Sequence, residues 1–176
     1  MRAPVDAARL AELLRRLGAA ASGPGRIYLT GGATALLEGW RASTIDVDLT
    51  MVPEQDALFR AIARLKDELS INVELASPAD FIPELPGWRD RCRFIRAEGP
   101  ITFWHYDFYA QALAKIERGH TKDVEDVEQM IRRGLVEPGR LLELFSAIEP
   151  ELVRYPAIDP PSFRKAVEAA IARHRS

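Results

Sequence analysis

The segment Ser43–Thr50, with the sequence STIDVDLT, restricts the fold more than any other part of the chain. Its apolar residues alternate strictly with polar ones and are Ile45, Val47 and Leu49. Side chains on a β-strand point to opposite faces in turn, so this pattern predicts a strand with one buried face. The opposite face carries four polar residues, namely Thr44, Asp46, Asp48 and Thr50.

A pair of glycines follows an earlier strand signal. The sequence RIYLT, Arg26–Thr30, is typical of a short strand and runs directly into Gly31 and Gly32, then into a predicted short helix over Ala33–Trp40. Glycines at such a turn let the backbone approach a ligand closely, and the N–H groups at a helix start favour phosphate. A tight strand-to-helix turn explains the two glycines equally well.

The remaining segments before Phe108 are predicted to form further strands and helices. Apolar residues at helical spacing predict helices over Asp6–Leu17 and Glu54–Leu69, the second opened by Pro53. A third strand is predicted in which Ile71, Val73 and Leu75 all point inward. After a proline-rich loop, the segments 92–98 and 101–107 are expected to form a hairpin.

From Phe108 onward, the spacing of apolar residues is that of helices. Four helices are predicted there: Phe108–Arg118, Asp123–Arg132, Gly139–Ile148 and Ser162–Arg173. The expected fold class is α+β, a mixed β-sheet flanked by helices with a helical C-terminal part. We expect residues 1–106 to form the core and residues 107–176 to form a helical part packed on that core.

Composition excludes several classes of protein. The net charge of −2 argues against a wholly basic surface that coats nucleic acid. The single cysteine, Cys92, cannot form an intrachain disulfide and fits a reducing compartment. Neither a signal peptide nor a run of about 20 apolar residues is present, so we expect a soluble, cytoplasmic protein without a membrane partner.

The two aspartates of the alternating strand are candidate metal ligands. Residues i and i+2 share a face of a strand and lie about 7 Å apart. Two carboxylates this close favour a cation between them, and Mg²⁺ suits hard oxygen ligands. Glu74 can add a third carboxylate if its strand is a neighbour. The alternative, a solvated face of an amphipathic sheet, accounts for the same three residues.

The order of motifs resembles a known family. A Gly-Gly pair, a short helix and then T-x-D-x-D, Thr44–Asp48, is similar to the nucleotidyltransferase fold of the DNA polymerase β superfamily. Within it, the chain resembles minimal AbiEii-type toxins of toxin–antitoxin systems, which carry a K-x-x-[KR] helix and a D-x-x-D segment. Here these read KIER, Lys115–Arg118, and DVED, Asp123–Asp126.

This resemblance implies a function. The chain would take a nucleoside triphosphate as donor, with Mg²⁺ or Mn²⁺, and transfer a nucleoside monophosphate to a hydroxyl of RNA, tRNA included, or of protein. A cognate antitoxin is an implied partner. The implied catalytic residues are Asp46, Asp48, Glu74, Lys115 and Asp126, with the first three as metal ligands. The implied nucleotide-binding residues are Gly31, Gly32, Thr44, Lys115, Arg118 and Asp123.

Other interpretations stay open. Helix capping explains Asp123 without any function, and a solvated helix face explains Lys115 and Arg118. Because Gly31-Gly32 stands where AbiEii-type proteins often have Gly-Ser, an inactive nucleotidyltransferase fold that regulates or binds a partner is the alternative function, with a metal-dependent nuclease ranked below it.

The sequence gives less support to its other candidate site residues. The three histidines lack zinc-ligand spacing, the tryptophans are expected to be packing residues, and Arg89, Arg91 and Arg93 are candidate contacts for an acceptor such as RNA.

Overall fold

The computed structural model describes residues 2–174, which fall into two compact units. Unit 1 consists of the described residues up to Ser77 together with Arg93–Tyr106. Unit 2 consists of Pro78–Cys92 together with the described residues from Asp107 onward.

Unit 1 is built on a mixed sheet of five strands. The strands are β1 (Gly25–Thr30), β2 (Asp46–Val52), β3 (Asn72–Leu75), β4 (Arg93–Glu98) and β5 (Ile101–His105). Their order is β3-β2-β1-β5-β4. β1 is antiparallel to β2 and parallel to β5, β3 is parallel to β2, and β4 and β5 form an antiparallel hairpin, as predicted.

The helices of unit 1 bury their apolar faces with one side of the sheet. These helices are α1 (Ala7–Ala20), α2 (Gly32–Glu38) and α3 (Asp56–Glu68). Leu10, Leu13, Leu14 and Leu17 of α1 and Leu58, Ile62 and Leu65 of α3 are buried in one cluster with strand residues such as Leu29, Val47 and Phe103. Full burial of such side chains contributes about 1.5–3 kcal/mol each, so this cluster fixes which face of the sheet stays polar.

Three sequence expectations in unit 1 are wrong. Ile45 and Leu75 were expected to point inward, yet they are 55% and 52% exposed, because Ile45 precedes β2 and Leu75 is the last residue of β3. Pro53 does not open α3, which begins at Asp56 with Gln55 as N-cap. The Gln55 side chain accepts from Ser22 N at 2.9 Å and donates to Gly23 O at 2.9 Å, and Gln55 itself has an extended backbone, so the helix starts only after it.

Unit 2 is helical. Its helices are α4 (Trp88–Arg91), α5 (Phe108–Arg118), α6 (Thr121–Arg132), α7 (Pro138–Ile148) and α8 (Pro160–Ala172), with 3₁₀ turns at Pro78–Asp80 and Glu149–Arg154. α5 has the predicted bounds, and the other three long helices differ from prediction by at most two residues at either end. Phe145 of α7 and Phe163 of α8 pack edge-to-face with ring centroids 4.9 Å apart.

The α+β class with a mixed sheet, flanking helices and a helical C-terminal part is confirmed. Among the helices of residues 2–174, none is both long enough and apolar enough to cross a bilayer.

Candidate functional site

The two aspartates of β2 lie on the polar face of the sheet. Asp46 and Asp48 are half-buried, whereas Val47 and Leu49 between and after them are fully buried in the core. The alternation predicted from sequence therefore places both carboxylates on one face, opposite the packed helices. They are spaced by two residues of strand, about 7 Å at Cα.

The glycine turn faces the second of these carboxylates. β1 ends at Thr30, which pairs with Asp48, and Gly31 then turns the chain into α2. Gly31 has φ +65° and ψ −132°, a conformation that residues with a side chain rarely adopt. A Cβ placed on Gly31 would lie 2.9 Å from Asp48 Oδ2. The absence of a side chain thus lets the backbone of the turn and the carboxylate share one small space.

Thr44 supports the same turn from the other side. A Cβ on Gly32 would overlap the Thr44 hydroxyl oxygen, so the second glycine is required by close packing. The hydroxyl donates to the backbone oxygen of Asp46 at 2.9 Å, and Thr44 is buried and paired through its backbone with Val5. Thr44 therefore fixes the start of β2, and with it the position of Asp46.

The third predicted carboxylate lies on the neighbouring strand. β3 pairs with β2 in parallel, and the register sets Asp46 opposite Asn72 and Asp48 opposite Glu74. Asn72 Nδ2 donates to Asp46 Oδ1 and, at 3.2 Å, to Glu74 Oε1. Glu74 itself is exposed. Sequence reasoning missed Asn72, although its place on the polar face two residues before Glu74 was a usable signal.

The donor set at β2 suits Mg²⁺. This cation usually takes only one or two protein carboxylates and completes its octahedron with water and phosphate oxygens. Asp46 and Asp48 are two such carboxylates, and the neighbouring turn has no side chain at Gly31, where a Cβ would crowd Asp48. Within residues 2–174, no group of three or more His, Cys, Asp or Glu side chains is placed to hold a metal ion. Glu74 as a third ligand stays a prediction.

A buried histidine lies next to α2. His105 ends β5 and is 4% exposed, with Nδ1 3.0 Å from Thr34 Oγ1 and Nε2 3.5 Å from Glu38 Oε1. Burial, with a smaller effect from the charge of Arg93, lowers the pKa of His105 to about 4. A neutral ring protonated at Nε2 can donate to Glu38 and accept from Thr34. His105 therefore ties both ends of α2 to the sheet.

The downstream motifs come together within unit 2. Lys115 Nζ lies 2.8 Å from Asp126 Oδ2 and 3.6 Å from Asp123 Oδ1, and all three residues are buried. Arg118 Nε and Nη2 donate to the two oxygens of Asp123 at 2.8 and 2.6 Å, a bidentate pair. The side chain of Arg118 is 57% exposed, so its outer edge faces solvent.

Asp123 has a different place in α6 from the one expected. It is the third residue of the helix, because α6 begins at Thr121 with His120 as N-cap. Its carboxylate accepts from His120 N at 3.2 Å, as in a capping box. Burial raises the pKa of Asp123, but the bidentate Arg118, the charge of Lys115 and the His120 N–H outweigh burial and lower it below the usual value.

The arginines near the proline-rich loop have distinct surroundings. Arg91 Nε and Nη2 donate to the fully buried Asp107 at 3.1 and 2.8 Å, which ties α4 to the start of α5. Arg93 lies 3.7 Å from Glu38, and Arg89 stacks over the ring of Trp88 at 5.3 Å. Arg91 therefore has a structural contact within unit 2. Contact of Arg89, Arg91 and Arg93 with an acceptor stays a prediction.

Comparison with known proteins gives a family match over most of the chain. Residues 8–157 match the model of a family described as "Nucleotidyltransferase of unknown function (DUF6036)". A crystal structure of an antigenic nucleotidyltransferase-like protein from Paracoccidioides brasiliensis is similar at 16% identity, with a TM-score of 0.47 and 95% of each chain covered. No curated protein matches the sequence significantly.

Proposed function

The chain belongs to the DUF6036 family of nucleotidyltransferases, and on this basis we propose that it transfers a nucleoside monophosphate from a nucleoside triphosphate to a hydroxyl of RNA or protein. The observation that supports this most strongly is the approach of the Gly31 turn to Asp48, because it sets a side-chain-free backbone beside a carboxylate. A triphosphate needs both: close backbone contact for its phosphates and carboxylates for its cation.

The proposed reaction is an in-line displacement at the α-phosphorus. The acceptor oxygen forms a bond to phosphorus, the bond from phosphorus to the bridging oxygen of the β-phosphate breaks, and pyrophosphate leaves. Mg²⁺ or Mn²⁺, when bound, supplies charge neutralisation and stabilises the attacking and leaving oxygens. Asp46 and Asp48 would hold it, and Glu74 would add a ligand or accept the proton of the acceptor hydroxyl.

The chain's contribution is mainly positioning. Thr44 and Asn72 orient Asp46, and the register of β2 and β3 fixes Glu74 opposite Asp48. Gly31 and Gly32 would offer backbone N–H groups to the phosphates. Because phosphoryl transfer depends on placement and electrostatics more than on covalent chemistry, few side chains suffice. Roles at this site for Lys115, Arg118, Asp123 and Asp126 stay predictions from the motif order, as do a toxin role and a cognate antitoxin.

The test is a labelling experiment. The protein is incubated with each α-labelled nucleoside triphosphate, Mg²⁺, and total cellular RNA and protein. We expect label in a discrete RNA or protein species, lost in Asp46→Ala and Asp48→Ala and kept in Asp67→Ala, whose side chain is 85% exposed. Equal labelling by all variants would refute the assignment. No labelling by folded wild-type protein would favour a regulator that retains the fold.

A further inference from the structure

The polar face of the sheet carries a second feature besides the carboxylates. Phe94 of β4 is 53% exposed, and its ring packs edge-to-face with Trp104 of β5 at 5.4 Å between centroids. The guanidinium of Arg26, on β1, lies over the Trp104 ring at 4.4 Å from its centroid. We call these three residues, Arg26, Phe94 and Trp104, the aromatic platform.

The strand registers place the platform on the same face as the aspartates. Trp104 pairs with Tyr28, Tyr28 pairs with Thr50, and Asp48 lies two residues before Thr50 on β2. Partners directly opposite each other in a sheet share a face, and so do residues two apart on one strand. The platform therefore lies on the same face of the sheet as the proposed catalytic carboxylates. Tyr28, between Trp104 and Thr50, is buried, so the exposed connection between them runs through Arg26 and its partner on β2, Val52, which is 39% exposed.

The same registers give the separation. Trp104 is two strands from β2, at about 4.8 Å per strand, and one side-chain repeat of about 7 Å along it, so its Cα lies about 12 Å from that of Asp48. A stacked nucleic-acid strand covers this distance in about four nucleotides at about 3.4 Å each. The platform thus lies within reach of a strand whose end is at the carboxylates.

We propose that the aromatic platform binds bases of a single-stranded RNA acceptor whose terminal hydroxyl lies at Asp46 and Asp48. This rests on the proposed nucleotidyl transfer. An exposed phenylalanine offers a ring face that every base can stack on, and the Arg26 guanidinium offers a planar surface with donors for a phosphate. A protein acceptor would have no general use for a stacking surface at this spacing, whereas successive bases do.

The composition of the platform separates it from an ordinary packing cluster. The indole N–H of Trp104 donates to Thr102 at 2.9 Å, which holds the ring in place on the strand. Arg26 and Phe94 are both exposed. Trp104 is thus anchored on its strand, while Phe94 and Arg26 beside it are accessible to a ligand, as a stacking surface requires.

The test measures RNA binding without nucleoside triphosphate or Mg²⁺. Anisotropy of a fluorescein-labelled 12-nucleotide single-stranded RNA is followed for wild type, Phe94→Ala, Phe94→Tyr and Arg26→Ala. Phe81→Ala is the matched control, because Phe81 is also 53% exposed but lies in unit 2. We expect Phe94→Ala and Arg26→Ala each to weaken binding about 5-fold or more, with Phe94→Tyr and Phe81→Ala within about 2-fold of wild type.

Salt dependence gives a second readout. Arg26→Ala should lower the slope of log affinity against log salt by about 0.7, the value for one phosphate contact on a single strand, and Phe94→Ala should leave the slope unchanged. A Phe94→Ala protein that binds as wild type does, a wild type that does not bind the RNA, or nucleotide labelling of a protein at the same rate in wild type and Phe94→Ala would each overturn the platform.

The outcome is distinguishable from failure of the proposed function. Stabilisation by Mg²⁺ and nucleoside triphosphate reports on the carboxylates and the Gly31 turn and not on the platform, and it is measured separately on wild type, Phe94→Ala and the Phe81→Ala control. RNA binding that depends on Phe94 without such stabilisation would support base binding by the platform but refute the transferase, and with it the acceptor role of the bound RNA. Stabilisation by nucleotide without RNA binding would support the transferase and overturn the platform.

Discussion

Removing Lys115 is predicted to destabilise unit 2 strongly. The change is Lys115→Met, which keeps most of the side-chain volume and deletes the charge. In the folded protein, Lys115 Nζ lies 2.8 Å from Asp126 Oδ2 and 3.6 Å from Asp123 Oδ1, and the two aspartates are 1% and 2% exposed. Breaking a buried ion pair by removing one partner typically costs about 3–5 kcal/mol, because a charge stays behind in a poorly solvated place.

The size of the effect follows from the length of the chain. For proteins of about 150–250 residues, each kcal/mol shifts Tm by about 2–4 °C, so Lys115→Met should lower Tm by about 6–20 °C. The assay is thermal unfolding followed by circular dichroism at neutral pH. Asp126→Asn in the Lys115→Met background should recover part of the loss, because the remaining buried charge is then removed.

An exposed ion pair provides the control. Arg15 and Glu12 are 2.7 Å apart, almost the same distance, but their side chains are 58% and 39% exposed. Arg15→Met should therefore change Tm little, since water and salt screen such pairs. A Tm for Lys115→Met that matches that of Arg15→Met would refute the conclusion that burial makes this network costly to break. A double variant no more stable than Lys115→Met would refute the specific role of Asp126.

Three further predictions concern backbone fit and pH. Gly31→Ala should lower Tm and weaken Mn²⁺ binding measured by electron paramagnetic resonance, because φ is +65° and the new Cβ would lie 2.9 Å from Asp48 Oδ2. Gly134→Ala, with φ +73° and nothing within 4 Å, should share only the conformational strain of about 1–3 kcal/mol, so equal Mn²⁺ binding by the two variants would contradict the proximity argument. Gly18→Ala should destabilise in urea unfolding despite the higher helix propensity of alanine, because its Cβ would overlap a backbone oxygen of β4; a gain in stability would contradict this. His105 should stay neutral in an NMR titration down to about pH 4. Between pH 6.5 and 4 the unfolded chain binds a proton at this residue and the folded chain does not, so the free energy of unfolding should fall as pH falls through this range. A His105→Gln variant with the same pH dependence of stability as wild type would contradict this.

The local elements were largely predictable because they depend on short-range periodicity. α5 has the bounds predicted, and the β4–β5 hairpin forms as expected. The alternation around Val47 correctly placed Asp46 and Asp48 on one face. These features follow from side-chain spacing of 3.6 or 2 residues, which the sequence displays directly.

The wrong predictions concern the ends of strands and contacts between residues far apart in the sequence. The period of two was extended beyond the strand ends, so Ile45 and Leu75 were assigned to the interior. The late start of α3 depends on Gln55 contacting residues more than thirty positions away, which no local pattern contains. The contacts of Phe94 and Arg26 with the Trp104 ring depend on strand order and register. The sequence shows neither, so it predicts only a packing role for Trp104.

The central claim is that Asp46, Asp48 and the Gly31 turn form one site for a nucleoside triphosphate with Mg²⁺. The most direct measurement is the Tm of wild type, Asp48→Asn and the control Asp67→Asn, with each nucleoside triphosphate at about 100 times its Kd for wild type and excess Mg²⁺. Binding at that ratio adds about 2.7 kcal/mol, so at least one nucleotide should raise Tm of wild type and Asp67→Asn by about 5–11 °C and that of Asp48→Asn far less. Equal stabilisation of all three proteins, or of none by any nucleotide at millimolar concentration, would contradict the claim.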